Sequence, residues 1–363
     1  MPNTTPRDNL RLLLDGGSPE WIPFSLDVGS APGFTEPIAR KFRSITGADQ
    51  PAEYFQADVR SFSLPVSFGG DDPAALHSSV EPGTTFDEWG NGHWAGGREG
   101  TVDRTYPALA AAESVRDVEA LPSPVIDPGV DTSPVEAHHA AGYPVFGYGG
   151  SIYEWAWWIR GMQRFMIDLV TDAKMARAIL DKIEAHTTRL AVATARAGID
   201  VVCLYDDAGM QSGMQISPDL WRRFVKPAWR RVLDAVRREA PQARFFLHSC
   251  GAVEPIVPDV IDLGFHVLHP LQPECMDFET LYREYGRDIA LTATISAQKI
   301  LPFGSPEDVR REVRRLARVV GDDRRTIFMP SNIIQPETPW PNVVAFAEEA
   351  RALRDDGKTG RDI

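Results

Sequence analysis

The sequence predicts a (β/α)₈ barrel, and three observations lead there. From residue 142 onward, short β-branched or aromatic runs alternate with long amphipathic segments, the pattern of βα units around a parallel sheet. The strand-like runs total eight. The first of them is not followed by the glycine fingerprint that an open dinucleotide-binding sheet would carry, and 363 residues suit a barrel of roughly 250 residues with added segments.

Taken in order, "WIPFSLDV" (21–28) and "ADVRSFSL" (57–64) supply the first two strands. Then follow "PVFGYG" (144–149), "DVVCLYDD" (200–207), "RFFLHSC" (244–250), "HVLHPLQ" (266–272), "IALTAT" (289–294) and "TIFMPSN" (326–332). Segment 172–197 places apolar residues three and four apart for several turns, and 217–239 opens on Ser-Pro, a cap followed by a first-turn proline; both read as helices. Residues 65–140, rich in Gly, Pro and Trp, read as an irregular excursion covering one end of the barrel, so the whole chain, 1–363, is expected to be one domain carrying this insertion.

Composition narrows the function. Apolar residues make up 43% and charged residues 25%, the balance of a globular protein. A formal charge of −13 argues against nucleic acid, whose phosphates call for clustered Lys and Arg. The N-terminal "MPNTTPRDNLRLLLDGG" has a short apolar stretch broken by charges and fits neither a signal peptide nor a membrane span, so no membrane partner and a cytoplasmic location are expected. Three scattered cysteines, Cys203, Cys250 and Cys275, do not make a disulfide framework.

In such a barrel the site lies at the C-terminal ends of the strands, and these ends are strongly polar: Asp27, Tyr148, Ser151, Asp206, Asp207, His248, Cys250, His269, Gln272 and Asn332 all fall there. Side chains two apart on a strand share a face, so His248 and Cys250 point together. They are either two ligands of one metal ion or the end of a core strand with a small buried thiol. Adjacent residues face opposite ways, so one of Asp206 and Asp207 enters the pocket, to bind a cation, exchange a proton or hold substrate, unless its task is to anchor the loop. Tyr153, Trp157 and Trp158 on the following segment form either a pocket wall or core packing.

The chain resembles the uroporphyrinogen decarboxylase superfamily, and within it the branch of corrinoid-dependent methyltransferases. The resemblance is carried by "TPRDNLRLLLDG", "DDAGMQSGMQISPDLWRRFVKPAWRRVLDAVR", "FFLHSCGAVEPIVPDVIDLGFHVLHPLQPECMDFETL", "ILPFGSPEDVRREVRRL" and "PETPWPNVVAF". It implies a TIM barrel of the uroporphyrinogen decarboxylase type, with Asp206 or Asp207 similar to the family's central aspartate. Where true decarboxylases carry an arginine-rich segment that grips the acid groups of the tetrapyrrole, this chain reads "DVGSAPGFTEP", without arginine.

In the methyltransferase branch, "HSCG" holds the first two zinc ligands, which fall here on His248 and Cys250. The resemblance then implies Zn²⁺, a small methylated substrate or thiol, a corrinoid carried by a partner protein, and a homodimer as a candidate assembly. The branch's third ligand is a cysteine after the last strand, where this chain has Asn332, so Cys275 or a carboxylate is expected to complete the set. Two alternatives stand beside this one: a cofactor-independent decarboxylase acting on a porphyrinogen or another carboxylic acid, and a barrel that binds a small ligand without turnover.

Overall fold

The computed structural model describes residues 4–96 and 102–355. Its centre is a parallel sheet in which Arg60–Ser61, Val145–Gly150, Val201–Tyr205, Arg244–His248, Val267–His269 and Ala290–Leu291 lie side by side in chain order. Past Thr292 the last of these segments continues as Ala293–Ile295 and pairs with Phe328–Pro330. The segment around Phe24 completes the ring, because Phe328 N–H donates to Pro23 O and Ser25 N–H to Phe328 O on one side, both at 2.9 Å, while Asp58 N–H donates to Phe24 O at 3.0 Å on the other.

All eight expected strand segments therefore take part, most of them as shorter pieces, while the third keeps its six residues as Val145–Gly150. The run expected at 21–28 joins the barrel through one bridge, at Phe24, with Val28 bridging locally to Ala31, and that at 57–64 contracts to Arg60–Ser61. The single helix expected over 217–239 is two, Pro218–Phe224 and Lys226–Glu239. Pro227 accounts for the break, since it has no N–H to give the preceding turn and its ring crowds the helical conformation of Lys226. Helix Ala173–Arg196 forms as its periodicity predicts, with the Asp172 carboxylate accepting the Met175 N–H at its N-terminus.

Strand alternation divides the core in two. Val201 and Cys203 pack inside the ring with Phe146, Phe246, Val267, Ile327 and Met329, whereas Val202 and Leu204 point out to the helix layer. Leu10 and Leu13 of helix Pro6–Leu14 join the inner cluster next to Val201, Val267 and Ala290, near the strands' N-terminal ends, which leaves the C-terminal rim for the pocket. Burying this apolar surface stabilises the fold at roughly 25 cal/mol per Å².

The excursion contains short antiparallel pieces: Val66–Ser67 with Val125–Ile126, and a three-stranded unit of Thr85–Phe86, Gly92–Trp94 and Arg104–Tyr106. It reaches the barrel through rings. Trp89 is fully buried with its centroid 6.4 Å from that of Trp155, and His93 meets Trp158 edge-on at 5.3 Å. No helix among the described residues is long and apolar enough to cross a membrane.

Candidate active site

Alternation along Val201–Tyr205, carried two residues further, separates the adjacent aspartates. Asp207 follows Tyr205 to the inner face and lines a cavity of about 320 Å³ together with Tyr148, Ser151, Glu154, Trp155, Trp158, Tyr205, His248 and Asn332. Asp206 follows Leu204 outward. Its carboxylate accepts from Ser151 Oγ, from the N–H groups of Ile152 and Glu154, and from Trp229 Nε1 at 2.7 Å. Burial raises its pKa to about 6 against the lowering effect of these donors. Asp206 thus ties the turn 151–154 to helix Lys226–Glu239 and lies outside the cavity lining.

On the inner face, His248 Nε2 lies 3.3 Å from Cys250 Sγ and 3.6 Å from Asp207 Oδ1. One ligand atom from each of Asp207, His248 and Cys250 falls within 4.8 Å of the others. Two loops bring them together. A Cβ added to Gly209 would lie 2.5 Å from Cys250 O, and Gly251, at φ +82°, meets Gly209 and Met210 backbone just as closely, so neither position has room for a side chain. Ala252 N–H then donates to Met210 O, and Cys250 N–H to Asp207 Oδ1, both at 2.8 Å.

The tautomer of His248 follows from its neighbour. His269 Nε2 lies 3.0 Å from Pro330 O, a group that can only accept, so this nitrogen carries the proton and His269 Nδ1 presents a lone pair. His248 Nδ1, 2.8 Å away, must donate to it, which leaves the His248 Nε2 lone pair aimed at the sulfur and the carboxylate. Burial lowers the pKa of His248 to about 4 and, with His248 beside it, holds His269 well below the ordinary histidine value. Both rings are therefore neutral at pH 7.

Burial, then the Asp207 carboxylate, pushes the Cys250 thiol up, and burial raises Asp207 as well. Glu154, whose Oε2 accepts the Asp207 N–H at 3.3 Å, is raised to about 8 by burial and then by the two aspartates. A neutral imidazole lone pair, a thiol and a carboxyl gathered without a cationic side chain in the described lining form a donor set suited to a dipositive ion.

Of the two groups expected to complete the set, the structure brings a carboxylate and not Cys275. Cys275 Sγ sits against Gln211 Oε1 at 3.4 Å and is absent from the group that gathers around His248, which Asp207 joins. Asn332 does reach the site, but as a donor. Its Oδ1 accepts the Ile333 N–H at 2.7 Å, which turns Nδ2 toward Cys250 Sγ at 3.2 Å.

Of the other expected site residues, Tyr148 and Ser151 line the cavity. Asp27 accepts from Gly33 N–H and Ser61 Oγ, Tyr153 is fully buried and bonds Gln215, and Gln272 Oε1 accepts the Gly251 N–H. Asp27, Tyr153, Gln272 and His269 lie outside the cavity lining, and the last two support residues of the site. Sequence reading passed over Glu154, Trp155 and Tyr205. For Tyr205 the signal was present, since it shares a strand face with Asp207.

Fold and pocket define a (β/α)₈ barrel with a polar site at its C-terminal rim. Residues 107–353 match the family model described as uroporphyrinogen decarboxylase (URO-D), and the chain belongs to that family. Over 164 residues it is 27% identical to the methylcobamide:CoM methyltransferase MtaA of Methanosarcina barkeri, an alignment covering 45% of this chain and 44% of that protein. The chain thus spans less than half the length of this curated relative. A solved methyltransferase from Methanosarcina mazei superposes with a TM-score of 0.64 over 97% of this chain and all of that one, at 18% identity, a likeness of fold.

Proposed function

We propose that this chain is a zinc-assisted, corrinoid-dependent methyltransferase acting on a small methylated substrate or thiol, with the corrinoid carried by a partner protein. The observation behind this reading is the convergence of His248 Nε2, Cys250 Sγ and Asp207 within 4.8 Å at the pocket. Those three residues would hold the ion, which when bound would keep a thiol as thiolate or polarise a leaving group. His269 holds the His248 ring in the tautomer that presents Nε2. Asn332 Nδ2 supplies an N–H to the Cys250 sulfur, favouring its charged form. Glu154, beside Asp207 and in the lining, is placed to exchange a proton with a bound substrate.

The decarboxylase alternative is less well supported for a porphyrinogen. Eight carboxylates need several fixed cations, and the described lining contains no Lys or Arg. A cavity of about 320 Å³ is at the small end for a ligand site and suits a compact molecule better than a tetrapyrrole. Elemental analysis of the purified protein, combined with a methylcobalamin-demethylation assay, tests the reading. One zinc per chain and an activity abolished by His248→Ala are expected; a zinc-free protein whose activity survives that substitution rules it out.

A further inference from the structure

Four of the nine cavity-lining residues are aromatic: Tyr148, Trp155, Trp158 and Tyr205. The polar ends of Trp155, Trp158 and Tyr205 are engaged by the protein, and Tyr148 Oη is engaged as an acceptor. Trp155 Nε1 donates to Tyr148 Oη at 3.0 Å, and Trp158 Nε1 donates to Glu154 Oε1 at 3.3 Å. Tyr205 Oη donates to Val28 O at 2.7 Å and accepts the N–H groups of Ser30 and Ala31. The Trp158 ring is held by stacking on Trp157, with centroids 4.8 Å apart and planes at 27°. Aromatic rings thus make up much of the apolar part of the wall, and such rings are negative on their faces.

The lining is acidic rather than basic. Glu154 and Asp207 bring carboxyl groups, and no Lys or Arg lies among the described lining residues. A ligand bearing a carboxylate or sulfonate would meet π faces and carboxyl groups without a counter-charge. A neutral polar ligand would find the two indole N–H groups and Tyr205 Oη already bonded within the protein, leaving it chiefly the Tyr148 O–H and the carboxyl groups. A methylated ammonium group has the opposite requirements: spread positive charge, no N–H needing an acceptor when fully methylated, and a shape that fits against several rings.

The same logic holds with a metal in place. Two positive charges on His248, Cys250 and Asp207 would be matched by one thiolate and one carboxylate, so the ion would add no net charge for an anionic ligand to pair with. We infer that the pocket selects a methylated ammonium cation, seated against Tyr148, Trp155, Trp158 and Tyr205 beside the Glu154 carboxyl group. The inference rests on reading this pocket as the methyl-transfer site and names the substrate class for it.

Calorimetric titration of the zinc-loaded full chain with choline, and with its uncharged carbon analogue 3,3-dimethyl-1-butanol, tests it. Choline is expected to bind at least about ten-fold more tightly, and Trp158→Leu to narrow that margin by weakening choline more than the analogue. Equal binding of the two, preference for the analogue, or no heat from either at millimolar concentration overturns the inference. The comparison on the natural chain stands even if the variant does not fold. Zinc content is measured on the same sample: choline preference without zinc sinks the methyl-transfer reading alone, and zinc without choline preference sinks the substrate class alone.

Discussion

His248 Nδ1 and His269 Nδ1 lie 2.8 Å apart, and the Pro330 carbonyl beyond His269 decides which nitrogen holds the proton between them. Replacing His269 with Phe removes the acceptor and frees the His248 ring to adopt the other tautomer. Zinc affinity is expected to fall by about 10–100-fold, the usual effect of losing an outer partner of a metal-bound histidine. Competition against a chromogenic chelator measures it, and an unchanged affinity would show that the pair is only packing.

Asp207 and Cys275 can be told apart in the same assay. Asp207→Ala should weaken zinc binding by at least about ten-fold, because it removes one of the three proposed ligands. Cys275→Ser should leave it unchanged, as its sulfur sits at Gln211. The reverse pattern would restore Cys275 to the site.

Asn332 stands 3.2 Å from the Cys250 sulfur, so a cysteine at this position would bring a second thiolate to the ion. Asn332→Cys is expected to raise zinc affinity, since thiolate suits Zn²⁺ better than an amide does. Cobalt substitution offers a direct readout, with stronger thiolate-to-metal charge transfer in the variant than in the natural chain.

Asp206 differs from Asp207 in kind. Four donors converge on its carboxylate, and an amide in its place turns an N–H₂ group toward some of them. Asp206→Asn should therefore cost about 1–3 kcal/mol of stability in urea unfolding. A variant with unaltered stability but lost turnover would instead move Asp206 into the chemistry.

His186 gives a pH signature away from the site. It is 1% exposed, and burial lowers its pKa to about 4 from an ordinary 6.5. Between these values the unfolded chain binds the proton and the folded chain does not, so its contribution to stability falls as pH drops through 6.5 and levels off below about 4. Relative to a His186→Leu variant, the natural chain should lose about 2 kcal/mol on going from pH 8 to pH 5. Parallel stability–pH curves for the two would contradict the assignment.

Much of the architecture was readable along the chain because the relevant forces are local. Val201, Cys203 and Tyr205 alternate with Val202 and Leu204, and the same two-residue period sends Asp207 in and Asp206 out. Helix Ala173–Arg196 follows its apolar spacing for its full length. The two-residue offset of His248 and Cys250 is likewise local. Glu154 and Trp155 were not readable, since a carboxyl and a ring at a helix start become pocket residues only when that helix leans over the rim.

By itself, then, the sequence determined the barrel class and the inward pair of His248 and Cys250, both consequences of periodicity. Tertiary structure alone decided that Asp207 rather than Cys275 would join that pair, and that Asn332 would offer its N–H to the sulfur. The physical reason is that both outcomes depend on how separate loops close over the rim. Backbone contact at Gly209 and Gly251, with no side chain between, carries one strand's carboxylate to the next strand's thiol, and nothing in either segment taken singly encodes that approach.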